Sequence, residues 1–596
     1  MADTVKPDEG LFPTRGGQGE IAQEIRRIAD LMTSDKIGDV DAIVLVAIDN
    51  TPDGFKRAMK LYFQLHKIGD TVAEDGTVTK VTPGQVTDGV TGFYQLLKDN
   101  YKWTGWTEFY DPAVSSASEG TKKCDNAGLV CKPSTADAHN QDDYEGLPLF
   151  AIVDCNWQMT EDGDIQITAI EDVIGDFDRY DPAKFVGVLQ MSGYHIYSNP
   201  HEISNLNYVD GVSMHEVKGF AHCVPYPESV KADGSIRPWV IHSKYQAGKV
   251  GGKMTACSGV GLLTGVSHNS LLIEAHNVGA CYSVTTSADM GFLQMMMRTK
   301  YASLTLDTIM PFTQNYGWQM GITQPMQCMV AETGTKRFLV TAKDYFYPGQ
   351  RIQYGTKNDD GTFKKADACP AGGLRIQTIE RITIDGTEYT AVYADMDAID
   401  TVVADDGTNT YISMIIGAWD TGSTDTVQGN DGSLNPSDGK HPVKLQGIEF
   451  GNGTYEVLGD TILNYYQDAE DTTKYYIAPY TVKDTRKAAT SVTADYKASG
   501  PKILQPDANW EGYIKCSTWG DDGVLMPTEF KGSSSTYTRD YMGGNGNKTV
   551  GTREWLALGH LLVGSRDGLS YLHGGYWLGN GDWYYGARLS PNGLRG

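Results

Sequence analysis

The chain has 596 residues, with 50 lysines and arginines against 75 aspartates and glutamates and a formal charge of −25, a field that repels phosphate backbones and anionic bilayers. Nucleic acid is therefore excluded as an expected partner, and no apolar run reaches the roughly 18 residues that membrane insertion needs. At about 100–200 residues per domain the length allows three or four domains, and 68 glycines, 34 tyrosines and 11 tryptophans point to tight turns and aromatic surfaces rather than long helices.

The first ten residues lack both a basic and an apolar leader segment, so synthesis in a cytoplasm is expected. Ile21, Ile25, Ile28 and Met32 repeat at helical spacing and predict an amphipathic helix. Ala42 to Ile48 reads as a buried strand, and Phe55, Met59, Tyr62 and Leu65 form a helical face after the turn at 50–54. An intramolecular core is the expected use of both stripes, with an oligomer contact as the alternative. Residues 70–145 are polar and turn-rich and read as exposed loops. From 180 to 325 the pattern gives short strands at Phe185–Met191 and Trp239–Tyr245, then helices at Ser267–Val278 and Ser287–Lys300, the latter with Ser287 as cap and methionines filling a core. Between 326 and 440 the chain turns to strands, including a hairpin over 380–395 around Asp385-Gly386, and reads as a sandwich- or barrel-like module. The segment from 441 onward is rich in glycine, tryptophan and tyrosine.

Catalytic and cofactor motifs are missing from the sequence. Gly259-Val-Gly261-Leu-Leu-Thr-Gly265 misses the third-glycine spacing of a dinucleotide loop, Gly546-Asn-Lys548-Thr549 lacks the Gly-Lys adjacency of a phosphate loop, and His215-Glu216 is not followed by a second histidine. His222, His268 and His276 read as packed or surface residues. The nine cysteines are scattered, and most are expected to be buried small hydrophobes. For Cys124 and Cys131 a loop disulfide or half of a metal site stays open, although no second pair follows at zinc-site spacing. The expectation is no catalytic residue, no cofactor and no metal. Gln505-Pro506-Asp507 matches a tripeptide that ligates calcium and sugar in calcium-dependent lectins, but no Trp-Asn-Asp follows it, and it is read as coincidence.

The run from Asp522 to Tyr537, Leu561-Leu-Val-Gly-Ser565 and the closing Trp583-Tyr-Tyr-Gly-Ala-Arg-Leu-Ser590 together resemble the target (variable) proteins of diversity-generating retroelements, the family of the phage tropism determinants. Gly447-Ile448-Glu449-Phe450-Gly-Asn452-Gly-Thr-Tyr455-Glu456 is similar to that family's Gly-Ile-Glu-Asn-x-x-Gly-Asn-x-Trp-Glu element, with Tyr455 where tryptophan is usual. The likeness is specific over 441–596. It implies an α+β chain ending in a C-type-lectin-like domain, a fold shared with formylglycine-generating enzymes. Residues 1–179 are then an α+β region for particle attachment or oligomerisation, 180–325 the first half of the lectin-like domain, 326–440 an inserted β-rich module, and 441–596 the second half.

The resemblance also implies a variable segment at about 560–585, diversified by error-prone copying at adenines. Gly568, Leu569, Tyr571, Leu572, Trp583, Gly586, Ala587, Arg588 and Leu589 fall at framework places. Arg566, Asp567, Ser570, His573, Gly575, Tyr576, Asn580, Asp582, Tyr584 and Tyr585 fall at variable ones and form the expected ligand-binding face. Tyrosine and tryptophan supply large contact area with few rotatable bonds, and arginine, aspartate, histidine and asparagine supply adaptable polar contacts. The expected function is that of a non-enzymatic virion protein, a tail-tip or fibre receptor-binding homotrimer that grips a bacterial cell-surface ligand, protein or glycan, and meets other virion proteins through its N-terminal region. A capsid or decoration protein with a displayed adhesive domain is the alternative. An enzyme of the formylglycine-generating type is the weaker one, because Cys516 is the only cysteine between 441 and 596 where such enzymes need a pair.

Overall fold

The computed structural model describes residues 40–49, 51–202, 207–312, 325–370, 372–404, 408–508, 510–561 and 563–596, so the expected helix at 21–32 lies outside the described residues. Strands dominate and helices are few.

The Thr51 hydroxyl accepts from the Gly54 N–H and opens the helix Pro52–Leu65, which buries Phe55, Met59 and Tyr62 as its spacing predicts, leaves Leu65 half-buried and buries Phe63 as well. Residues 42–48 are not a strand. Val40–Val46 is a short helix, because burial of Val44 and Ile48 in the same core as Phe55 outweighs the strand preference of its β-branched residues. The reading of 70–145 as exposed loops is also corrected. A Thr82–Gln85 capping box starts the helix Pro83–Asn100, whose Val86, Val90, Phe93, Tyr94 and Leu97 are fully buried. Its glycines suit close packing: a Cβ on Gly89 would lie 2.7 Å from the Phe63 ring and one on Gly92 2.2 Å from the Tyr62 hydroxyl.

Two antiparallel sheets follow. One runs in the order Trp239–Ser243, Phe185–Met191, Ile152–Met159, Ile165–Ile170, and the other in the order His222–Pro225, Tyr194–Tyr197, Asn207–Ser213, Thr104–Tyr110, Thr121–Cys124. Each draws strands from both sides of position 180, so a boundary between 1–179 and 180–325 does not hold.

The helix Ser287–Tyr301 runs through the middle of the molecule, with every residue from Ser287 to Lys300 buried. Its cap is Thr286, in a box with Asp289, rather than Ser287. Met290, Met295, Met296 and Met297 fill the core. Its two buried cations are paired, as burial demands: Arg298 with Asp210 at 2.8 Å, and Lys300 with Asp142 at 3.0 Å and Asp431 at 2.9 Å. The second expected helix is His268–His276, capped by Ser267.

A seven-stranded sheet is drawn wholly from residues 326–419. Its hairpin pairs Leu374–Ile384 with Thr387–Ala394, and Asp385 and Gly386 both adopt positive φ, as the tight hairpin turn requires. This module has a separate core, to which, among the described residues, Leu561 and the half-buried Trp583 contribute from elsewhere in the chain.

The C-terminal sheet has the order Tyr496–Ala498, Tyr475–Val482, Tyr455–Gln467, Gly551–Leu558, Gly568–Gly574, Tyr541–Gly544, Trp510–Trp519, Leu525–Phe530, with Ile503–Leu504 and Tyr585–Gly586 attached at the side. All nine cysteines are free thiols, Cys124 exposed and Cys131 half-buried. No helix among the described residues is long and apolar enough to cross a membrane.

Candidate functional site

The two halves of the family-like sequence pattern, around 447–456 and 583–590, meet at a buried ion pair. The Arg588 guanidinium binds the Glu456 carboxylate through both Nε, at 3.0 Å, and Nη2, and donates to the carbonyls of Ser243 and Glu449 at 2.9 and 3.1 Å. Thr285 Oγ1 donates to Glu456 at 2.6 Å and accepts from the Arg588 N–H. Glu449 accepts from the N–H of Gly422 and Thr424 and from the Asn452 amide. Burial, with Asp425 nearby, pushes the Glu449 carboxyl up to about 7. Tyr455 and Glu456 pair in parallel with Tyr585 and Gly586. Ser590 and Asn592 then reach Asp289 of the central helix at 2.7 and 2.8 Å. The segment after 585 is therefore internal framework, held by groups that no solvent competes for.

The residues expected on the displayed face separate into two sets. Arg566, Asn580 and Asp582 are exposed, and His573, Gly575, Tyr576 and Tyr584 are half-buried. Asp567, Ser570 and Tyr585 are buried, with 1%, 4% and 1% of their surface accessible, and do not belong to a displayed face. Ser570 lies on Gly568–Gly574, a strand flanked by Gly551–Leu558 and Tyr541–Gly544 and covered by the central helix, whose Gln294 amide donates to the Leu569 carbonyl at 2.7 Å. Asp567 is tucked beneath Gly559, where a Cβ would lie 2.4 Å from its own, and burial together with Asp307 and Asp540 drives its carboxyl well above the usual range. Tyr585 is fixed by its pairing with Tyr455. The framework residues Gly568, Leu569, Tyr571, Leu572, Gly586, Ala587, Arg588 and Leu589 are buried, and Trp583 is half-buried.

Beneath the exposed set lies a continuous group of rings. Tyr455 is at its centre, 4.7 Å from His560, 5.6 Å from Tyr584 and 5.8 Å from Tyr571 between centroids, and its hydroxyl meets that of Tyr571 at 3.1 Å. His560 stacks on Tyr584 at 4.4 Å and His573 on Tyr576 at 4.6 Å. Burial pushes His560 down to about 3 and His573 to about 4, so both imidazoles are neutral at pH 7. Burial likewise pushes the Glu554 carboxyl up to about 9, moderated by Tyr585. The face thus presents neutral rings with Arg566 and Asp582 at its edges, an arrangement suited to non-covalent recognition.

Five residues that sequence reasoning did not assign to this face adjoin it. Trp577 is 54% exposed, and the Arg553 guanidinium lies 3.3 Å from its ring centroid. Tyr541 is covered by Arg566 at 5.1 Å, bonds Glu511 at 3.1 Å and packs on Tyr513 at 5.3 Å. Trp577 shares the residue type and stretch of the expected face and was readable on that ground. The other four, Arg553, Tyr541, Glu511 and Tyr513, come from other strands and carry no local signal.

Among the described residues two clusters of side chains have the donor types of a metal site, Cys131 with Asp142 and Asp431, and His201 with Cys516 and Glu529. In the first, the Lys300 ammonium already occupies the space between the two carboxylates. No protein-family model matches this chain, and no curated protein is similar to it by sequence.

Proposed function

We propose that this chain is a phage receptor-binding protein of the tail tip or fibre, a homotrimer whose diversified, C-type-lectin-like face grips a bacterial cell-surface ligand. The observation that carries the reading is the division of the 566–585 segment. Polar side chains are exposed at 566, 580 and 582 and rings are half-exposed at 573, 576 and 584, while the backbone on either side is locked by buried groups, above all Arg588 with Glu456. Such a face tolerates exchange of its exposed residues at little cost, usually within about 0.5 kcal/mol each. Weak contacts at each face would be multiplied by the copies on a particle.

The test is deep sequencing of the 3′ coding region from a propagated phage population, together with the adjoining DNA. Expected are a near-copy of the codons for 560–585 beside a reverse-transcriptase gene, and adenine-linked substitutions confined to outward positions. Asp567, Ser570, Tyr585 and Arg588 should stay fixed. Absence of the near-copy, or substitutions spread equally over buried and outward positions, overturns the proposal.

A further inference from the structure

Cys516 and Glu529 are direct cross-strand partners in the hairpin formed by Trp510–Trp519 and Leu525–Phe530, and the ladder slips on both sides of Cys516. Directly paired residues of an antiparallel ladder share a face, and bulges commonly re-aim a side chain beside a functional site. Facing this pair is His201, a non-glycine residue at φ 63°, a conformation that persists only where the surroundings hold it. Buried Asp111 does the holding. It accepts from the His201 N–H at 2.8 Å and lies 3.0 Å from Nδ1, which leaves Nε2 turned toward Glu529 Oε1 at 2.9 Å. The His201 nitrogen, the Cys516 sulfur and the Glu529 oxygen all lie within 4.8 Å of one another. Lys515 occupies only the other Glu529 oxygen, at 2.8 Å.

We propose that His201, Cys516 and Glu529 form a binding site for a zinc-type divalent cation. Nitrogen, thiolate and carboxylate together are the donor mixture that zinc takes, in tetrahedral sites that need contacts of about 2.0–2.3 Å. A four-coordinate ion with those contacts holds its donors roughly 3.3–3.8 Å apart, so His201 Nε2 and Glu529 Oε1, now at 2.9 Å, part slightly to admit it. Asp111 plays the part of the carboxylate that orients a ligating histidine through its other ring nitrogen. Three protein donors leave a fourth position, and it opens into a cleft of about 930 Å³ lined by His201, Glu529, Lys502, Lys515, Lys531 and Tyr537. Water or an anionic donor of a bound ligand fits that position. Cys516, at 3% exposure, is buried beside the cleft rather than in its lining. The site is on a different part of the sheet from the ring face and does not depend on the receptor-binding reading.

The experiment uses the full chain, freed of metal by dialysis against a chelator and titrated with Co²⁺ and then Zn²⁺. Expected are one cobalt per chain, a thiolate-to-cobalt charge-transfer band, and loss of that band when zinc displaces cobalt. Cys516→Ser should abolish the band. His201→Gln and Glu529→Gln, at an exposed and a half-buried position, should each weaken uptake at least about tenfold, and Asp111→Asn by about 10–100-fold. If Cys516→Ser fails to fold, the other variants decide the matter. A wild-type chain without the band, or a band and affinity unchanged in His201→Gln and Glu529→Gln, overturns the proposal and leaves His201 as a structural link between Asp111 and Glu529.

Discussion

Glu554 offers a quantitative test of how the ring face is supported. It lies on the strand Gly551–Leu558 behind that face and is fully buried, and its carboxyl is pushed from 4.5 up to about 9 by burial. A folded-state value above the unfolded one means that the native chain keeps a proton that the unfolded chain releases. Stability from this group is therefore highest below the unfolded value, falls as pH rises between the two values, and is level above the folded one. Each pH unit in that window costs about 1.36 kcal/mol, so between pH 5 and pH 7 the loss is about 2.7 kcal/mol. Glu554→Gln cannot ionise and escapes this loss. Urea unfolding of wild type and variant, followed by tryptophan fluorescence, should show the variant gaining on wild type by about 2.7 kcal/mol from pH 5 to pH 7, whatever constant offset the lost hydroxyl proton introduces. A difference that does not change with pH would refute the reasoning, and so would one that moves the other way.

Arg588→Met leaves Glu456 buried without its partner and should cost about 3–5 kcal/mol in the same assay. Gly291→Ala, which in an ordinary helix interior gains about 1 kcal/mol, should here destabilise by about 1–3 kcal/mol, because the added Cβ would lie 2.3 Å from the Gly523 carbonyl oxygen; a raised melting temperature would contradict the close packing. Replacing Trp577 by serine should leave stability within about 1 kcal/mol and, under the receptor-binding proposal, reduce adsorption of the purified chain to the phage's host cells, as scored by competition with infection.

The sequence was informative where one local rule dominates. The helices Pro52–Leu65 and Ser287–Tyr301 follow from apolar spacing, and the 374–394 hairpin from Asp385-Gly386 and its alternating flanks. It misled where distant packing reverses a local preference. Pro83-Gly84, Gly89 and Gly92 look like helix breakers, yet the proline sits in the first turn, where its missing N–H costs nothing, and two of the glycines make room for Phe63 and Tyr62. The ring face was half legible. Outward and inward residues of the 566–585 segment are of the same polar and aromatic types, and only the neighbouring strands and the central helix decide that Ser570 and Tyr585 point inward. The His201–Cys516–Glu529 cluster joins positions more than 300 apart, a separation at which single residues carry no readable spacing.

Leu561 and Trp583 complete the core of a module otherwise built from 326–419. The two residues bracket the stretch expected to vary, so the module fastens both ends of that stretch from the side. Any recombination that exchanged the module between lineages would have to bring matching residues at 561 and 583 with it. The 326–419 module and the 561–583 segment are in this sense bound to change together, although more than a hundred codons separate them.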